Sequence, residues 1–127
     1  MEKSLRVFKT KWFARYARKM DIEDSALCET VKRADSGLID ADLGSNIIKQ
    51  RVSKKGQSRA KGYRVLIAYR SQTKTFFMYG FAKNEKDNID DDELESLKEI
   101  GIKWLNMSDQ DIKHALSNGL LQEVIYE

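Results

Sequence analysis

Two apolar, β-rich runs, Tyr63 to Arg70 and Thr75 to Ala82, are separated only by Ser71 to Lys74, and no other feature restricts the fold as much. Their β-branched and aromatic residues suit a pleated surface, and a connection of this length suits a hairpin. An antiparallel sheet is therefore expected. In the first run, period-two alternation places Arg64, Leu66, Ala68 and Arg70 on one face and Tyr63, Val65, Ile67 and Tyr69 on the other. Upstream, Asn46 to Val52 sets Ile47, Lys49 and Arg51 against Ile48, Gln50 and Val52, a half-buried strand. Leu5 to Phe8 predicts a short N-terminal strand.

Helical spacing governs the rest. From Thr10 as N-cap, Trp12, Phe13, Tyr16, Ala17 and Met20 form one apolar face, opposed by Lys11, Arg15, Arg18 and Lys19. Asp21 with Asp24 resembles a capping box for a second helix, carried by Leu27, Val31 and Ala34 and ending at Gly37. The segment Ile39 to Ser45 reads as a loop. Asn88 or Asp90 caps a later helix whose first turn is acidic, where the helix dipole favours anions. Its buried stripe is Leu94, Leu97, Ile100, Gly101, Trp104 and Leu105. Ser108 with Asp111 caps a further short helix ending at Asn118 and Gly119, and Leu120 to Ile125 reads as a last strand or a packed tail. One domain over residues 1–127 is expected, since 127 residues at 41% hydrophobic content bury a real core.

Charge is segregated along the chain. Between Leu43 and Asn84 stand ten basic residues and no acidic one: Lys49, Arg51, Lys54, Lys55, Arg59, Lys61, Arg64, Arg70, Lys74 and Lys83. The residues after them carry a net charge of −8. A surface of one sign attracts polyanions, so nucleic acid is the first partner to consider. A sheet covered by helices on one side would gather Lys49, Arg51, Arg64 and Lys83 into a shallow cationic cleft on its open side. The plainer alternative is that these residues solvate a sheet and discourage edge-to-edge pairing. The basic stretch Ser53 to Lys61 reads as a solvent-facing loop. Cys28 is the only cysteine, which excludes an intramolecular disulfide and a thiolate metal cluster and suits a reducing, cytoplasmic setting. No stretch has the run of apolar residues that a membrane span needs, and no secretory leader is expected.

Gly62-Tyr63-Arg64-Val65 leads into an apolar strand and a hairpin, and Gly80-Phe81-Ala82-Lys83-Asn84 precedes an acidic-capped helix. With the helix pair running from Trp12-Phe13-Ala14-Arg15 to Arg33, the connection Leu38 to Gly44 and Lys49-Gln50-Arg51-Val52, this order resembles the RelE/ParE superfamily of bacterial toxins, most closely its HigB-like branch. The likeness covers about residues 5–105, so residues 106–127 read as a C-terminal extension. It implies an α+β fold, a twisted antiparallel sheet with an N-terminal helix pair packed on one face and C-terminal helices. It further implies a type II toxin that cleaves messenger RNA, with the ribosome-bound message as the expected substrate, neutralised by a cognate antitoxin for which a helix-turn-helix domain is one option. Carried onto this chain, the site is Arg64, Lys49, Arg51 and Lys83, with Lys54, Lys55, Arg59, Lys61, Arg70 and Tyr79 as RNA-binding residues. No metal or other cofactor is expected.

In the reaction so implied, the RNA 2′-hydroxyl attacks the adjacent phosphorus, which requires a base, cations that stabilise the phosphorane and an acid for the leaving 5′-oxygen. Arg64 suits the cationic role, because a guanidinium stays charged and grips two phosphate oxygens. Lys49 serves as base only if neighbouring cations such as Arg51 lower its pKa. Lys83 is the candidate acid or second phosphate clamp; Tyr79 offers a hydroxyl or a stacking surface, although Phe77, Tyr79 and Phe81 at period two are more often core. His114 lacks partners for a metal site, and helix-start carboxylates account for Asp87 to Glu95. Two rivals remain: a gyrase-inhibiting ParE-like toxin, and a non-catalytic nucleic-acid-binding module relying on the loop Ser53 to Lys61.

Overall fold

The computed structural model describes residues 5–53, 62–70, 73–82 and 89–126. Along the chain lie β1 (Arg6–Thr10), α1 (Lys11–Met20), α2 (Asp24–Asp35), β2 (Ala41–Asp42), β3 (Ile47–Val52), β4 (Tyr63–Arg70), β5 (Lys74–Ala82), α3 (Asp91–Leu105), α4 (Asp109–Ser117) and β6 (Leu121–Val124). The six strands form one sheet in the order β2-β3-β4-β5-β1-β6. Every neighbouring pair is antiparallel except β1 with β5, so the fold is α+β with a mostly antiparallel sheet. The two apolar runs are its central hairpin, and the chain's last strand pairs with its first.

The alternation in β4 holds: Tyr63, Val65, Ile67 and Tyr69 join Phe13, Leu27 and Val31 in a core beneath α1 and α2. Leu66 and Ala68 face the other way, with Phe8, Ile47 and Phe76, into a second core under α3 and α4 that includes Leu105 and Ile112. Helices therefore cover both faces, and the wide open face that a one-sided arrangement would leave is not formed. Gly101 lets α3 settle closely on the sheet: a Cβ there would stand 2.8 Å from Ile47 Cδ1 and 3.3 Å from Ala68 Cβ.

Pairing slips between Leu66 and Ile67, which oppose Tyr79 and Phe77, so Met78 is an extra residue in β5. A bulge of this kind reverses the facing of the strand residues beyond it. Phe77 packs under α1 while Met78 and Tyr79 both turn to the α3 side, so the period-two row Phe77, Tyr79, Phe81 does not share one face.

Thr10, Asp90 and Ser108 cap α1, α3 and α4 as expected, each accepting from the amide three residues on. The capping box of Asp21 with Asp24 does not form. Asp21 instead ends α1 in a left-handed conformation (φ 56°), donating its amide to Ala17 and Arg18 carbonyls, and Glu23 takes the N-cap position of α2, where its side chain accepts from the Ser25 hydroxyl and not from a helix amide. Inside the expected loop, Ala41 and Asp42 pair with Lys49 and Ile48 as the short edge strand β2.

Candidate nucleic-acid interface

Tyr63 aims the residue after it. Its ring is buried beneath α1 and its hydroxyl donates to the Met20 carbonyl at 3.3 Å, which leaves Arg64 on the opposite face of the sheet. There the register pairs Arg64 with Arg51 of β3 on one side and with Phe81 of β5 on the other. The next row on that face, two residues along the strands, is Lys49, Leu66 and Tyr79. Directly opposed residues place their Cβ atoms about 5 Å apart and diagonal ones about 7–8 Å apart. Arg51, Arg64 and Lys49 thus form a compact cationic triangle. Arg64 is only 8% exposed, Lys49 is half-buried and Arg51 is exposed, so the charge grades from a buried base to an open rim.

The backbone at Arg51 is held from outside the sheet. Asp40 Oδ2 accepts its amide at 2.7 Å, and Arg33, which lies 3.6 Å from the same carboxylate, donates to its carbonyl. Gln50, fully buried, clamps the neighbouring segment. Its amide nitrogen donates to the Leu38 and Thr30 carbonyls at 3.1 and 3.5 Å, and its oxygen accepts from the Asp40 amide at 2.7 Å. Alternation alone marks Gln50 as a polar residue at an inward position, the one sequence signal for this latch; the contributions of Arg33 and Asp40 depend on tertiary contacts that no local spacing encodes.

Tyr79 is half-buried. Its hydroxyl donates to Glu93 Oε2 at 3.1 Å and its ring stacks on Trp12, centroids 4.7 Å apart. Arg70 lies at the far end of β4, about 20 Å from Arg64 at the usual rise per strand residue. It donates to the Leu105 carbonyl at 3.1 Å and to Asn106 Oδ1 at 3.4 Å, closing the end of α3. It stands apart from the triangle. Lys54, Lys55, Arg59, Lys61 and Lys83 lie outside the described residues. Among the described residues no group of three or more His, Cys, Asp and Glu side chains is placed to hold a metal ion. No helix among them is long and apolar enough to cross a membrane.

The chain is thus a small α+β protein in which a strand arginine near one end of the central β4 is set between a second arginine and an aromatic ring. Residues 5–124 match the RelE family, described as the RelE toxin of the RelE/RelB toxin–antitoxin system, and the chain belongs to that family. No curated protein matches the chain. The family match runs through β6, which completes the sheet beyond β1. Membership brings with it a cognate antitoxin as partner.

Proposed function

We propose that this toxin is a cytoplasmic, metal-independent endoribonuclease of the HigB-like branch that cuts messenger RNA on the ribosome. The observation that carries the reading is the direct pairing of Arg51 with Arg64. Like charges set opposite each other across a sheet weaken it, so a fold that keeps them there benefits when an anion binds between them. A phosphodiester fits, since two guanidinium groups can share its non-bridging oxygens bidentately.

In this reading the substrate 2′-hydroxyl loses its proton to Lys49 and attacks phosphorus, the P–O5′ bond breaks, and the products are a 2′,3′-cyclic phosphate and a 5′-hydroxyl. Arg64 and Arg51 stabilise the dianionic phosphorane. Lys83 supplies the proton to the leaving oxygen. Tyr79, already stacked on Trp12, lies one row from Arg64 and offers an aromatic surface for a flanking base. Gyrase poisoning would not require Lys49, Arg51 and Arg64 to converge, and their convergence favours the nuclease.

The test is brief induction of wild type and Arg64→Ala in a bacterial host, with mapping of new messenger 5′ ends. Wild type should produce discrete in-frame cuts. Loss of one such cation should lower cleavage by about 100-fold or more, and cutting by folded Arg64→Ala at the wild-type rate would sink the assignment.

A further inference from the structure

The outer edge of β3 is completed in two different ways along its length. Bonds to β4 leave from the even positions, as where the Asn46 carbonyl accepts the Tyr69 amide at 2.8 Å, so Ile47, Lys49 and Arg51 turn their amides and carbonyls the other way. On that side the Ile47 carbonyl accepts from the Leu43 amide at 2.8 Å, and Lys49 pairs with Ala41 of β2. There β2 stops. The rung at Arg51 is made by side chains instead: Asp40 Oδ2 accepts its amide at 2.7 Å, and Arg33, reaching from α2, donates to its carbonyl.

This exchange of strand for side chains fixes how the two arginines meet. With both backbone groups bonded outward, Arg51 faces Arg64 as a non-hydrogen-bonded pair, in which Cα atoms stand about 4.5 Å apart and not about 5.5 Å. The pair is thus as close as a sheet allows, against the mutual repulsion of its charges. Arg51 is also the last residue but one of β3, where an edge strand is prone to fray. Asp40 suits the task of holding it because its own charge is engaged: Arg33 lies 3.6 Å from the carboxylate, and the side chains are 29% and 13% exposed. Without Arg33, an uncompensated carboxylate would stand beside Arg51 and compete with phosphate for its guanidinium.

We propose that Asp40 and Arg33 are positioning residues for the cationic site, holding Arg51 opposite Arg64 so that one phosphate engages both. They act through the main chain of Arg51 and need no contact with substrate. The inference rests on the nuclease reading above for what the site does, and on these hydrogen bonds for how it is held.

A double-mutant cycle separates this role from a merely structural one. On ribosomes programmed with a short message, Asp40→Ala should slow single-turnover cleavage by at least about tenfold, since a displacement of about 1 Å can cost about 100-fold. In an Arg51→Met background the same substitution should slow it by no more than about twofold, because no guanidinium is left to position. A general loss of stability would lower both backgrounds alike. Arg33→Lys, which keeps a charge for Asp40 and a donor for the carbonyl, should retain most of the cleavage that Arg33→Met loses. The cycle is then repeated on affinity for the same message carrying a 2′-deoxynucleotide at the cut site, which binds but cannot be cut. Asp40→Ala should weaken that binding when Arg51 is present and leave it unchanged when position 51 is methionine. If wild type binds this message yet never cleaves its ribose counterpart, the nuclease reading fails and the affinity cycle still decides the role of Asp40. Equal losses in the two backgrounds, wild-type function in Asp40→Ala, or an Arg33→Lys no better than Arg33→Met would each overturn the proposal.

Discussion

Replacing Arg51 with methionine should stabilise the protein while disabling it. Methionine keeps most of the aliphatic stem, and the backbone bonds of position 51 to Asp40 and Arg33 do not involve the side chain that is changed. What disappears is the charge paired with Arg64. Two guanidinium groups about 6 Å apart repel by roughly 0.7 kcal/mol in water and by roughly 2.8 kcal/mol at an effective dielectric of about 20. Arg51 is exposed, which favours the smaller figure, and cross-strand pairs span about 0.2–1 kcal/mol. A gain of about 0.5–1 kcal/mol corresponds to a rise in Tm of roughly 2–4 °C for a domain of this size. Thermal unfolding at low salt should show that rise, and near 1 M salt, where the screening length falls to about 3 Å, the two proteins should converge. Messenger cleavage by Arg51→Met should drop by about 100-fold. Arg70→Met provides the contrast, because Arg70 closes the end of α3 and its loss should lower Tm at every salt concentration. A variant at position 51 that is less stable than wild type at low salt, or that is more stable yet cleaves normally, would refute the reasoning.

Gln50→Leu should cost about 2–3 kcal/mol, since it leaves the Asp40 amide and the Leu38 carbonyl without their buried partner, and Tm should fall by roughly 6–12 °C; an unchanged Tm would show that the latch carries no weight. Alkaline unfolding should report on Tyr126, whose pKa is raised above its ordinary 10.0 first by burial and then by Asp35 and Cys28. The folded state holds that proton more tightly than the unfolded chain, so the contribution is fully present below pH 10 and is lost as pH climbs through the folded pKa. Tyr126→Phe should therefore show a shallower loss of stability above pH 10, measured as unfolding free energy against pH.

Elements set by local chemistry are legible in the sequence. The β-branched runs of β4 and β5, the two-faced alternation that points Arg64 away from Tyr63, and the caps at Thr10, Asp90 and Ser108 all depend on residues within a few positions of each other. Features that depend on distant partners are not. Met78 becomes an extra residue only because β4 and β5 meet in a particular register, so period-two counting misplaces Phe77 relative to Tyr79. Asp21 offers the same side chain to either of two helix ends, and the preceding helix takes it. Ala41 and Asp42 have no strand signal of their own and pair because Asn46 and Ser45, both at positive φ, fold the chain back onto β3. Lys49, Arg51 and Arg64 are legible as a set, since strand parity already places them on one face. Trp12 and Ile100, by contrast, read as members of two separate buried stripes, and only the crossing of α1 and α3 leaves them facing each other across solvent.

Insertion of β1 between β5 and β6 has a consequence for how this protein comes into being. Arg6 aligns with Lys74, and its guanidinium meets Glu123, 117 positions further along the chain. Neither partner exists while the first half of the polypeptide is being made, and contacts this remote are slow to form because loop closure precedes any reward from pairing. The hairpin of β4 and β5 and the first helices can gather earlier, and β1 can then pair with β5, but the other edge of β1 waits for β6, near the end of the chain. A toxin built in this order reaches its finished form late in its own synthesis, which gives its antitoxin an interval in which to meet it.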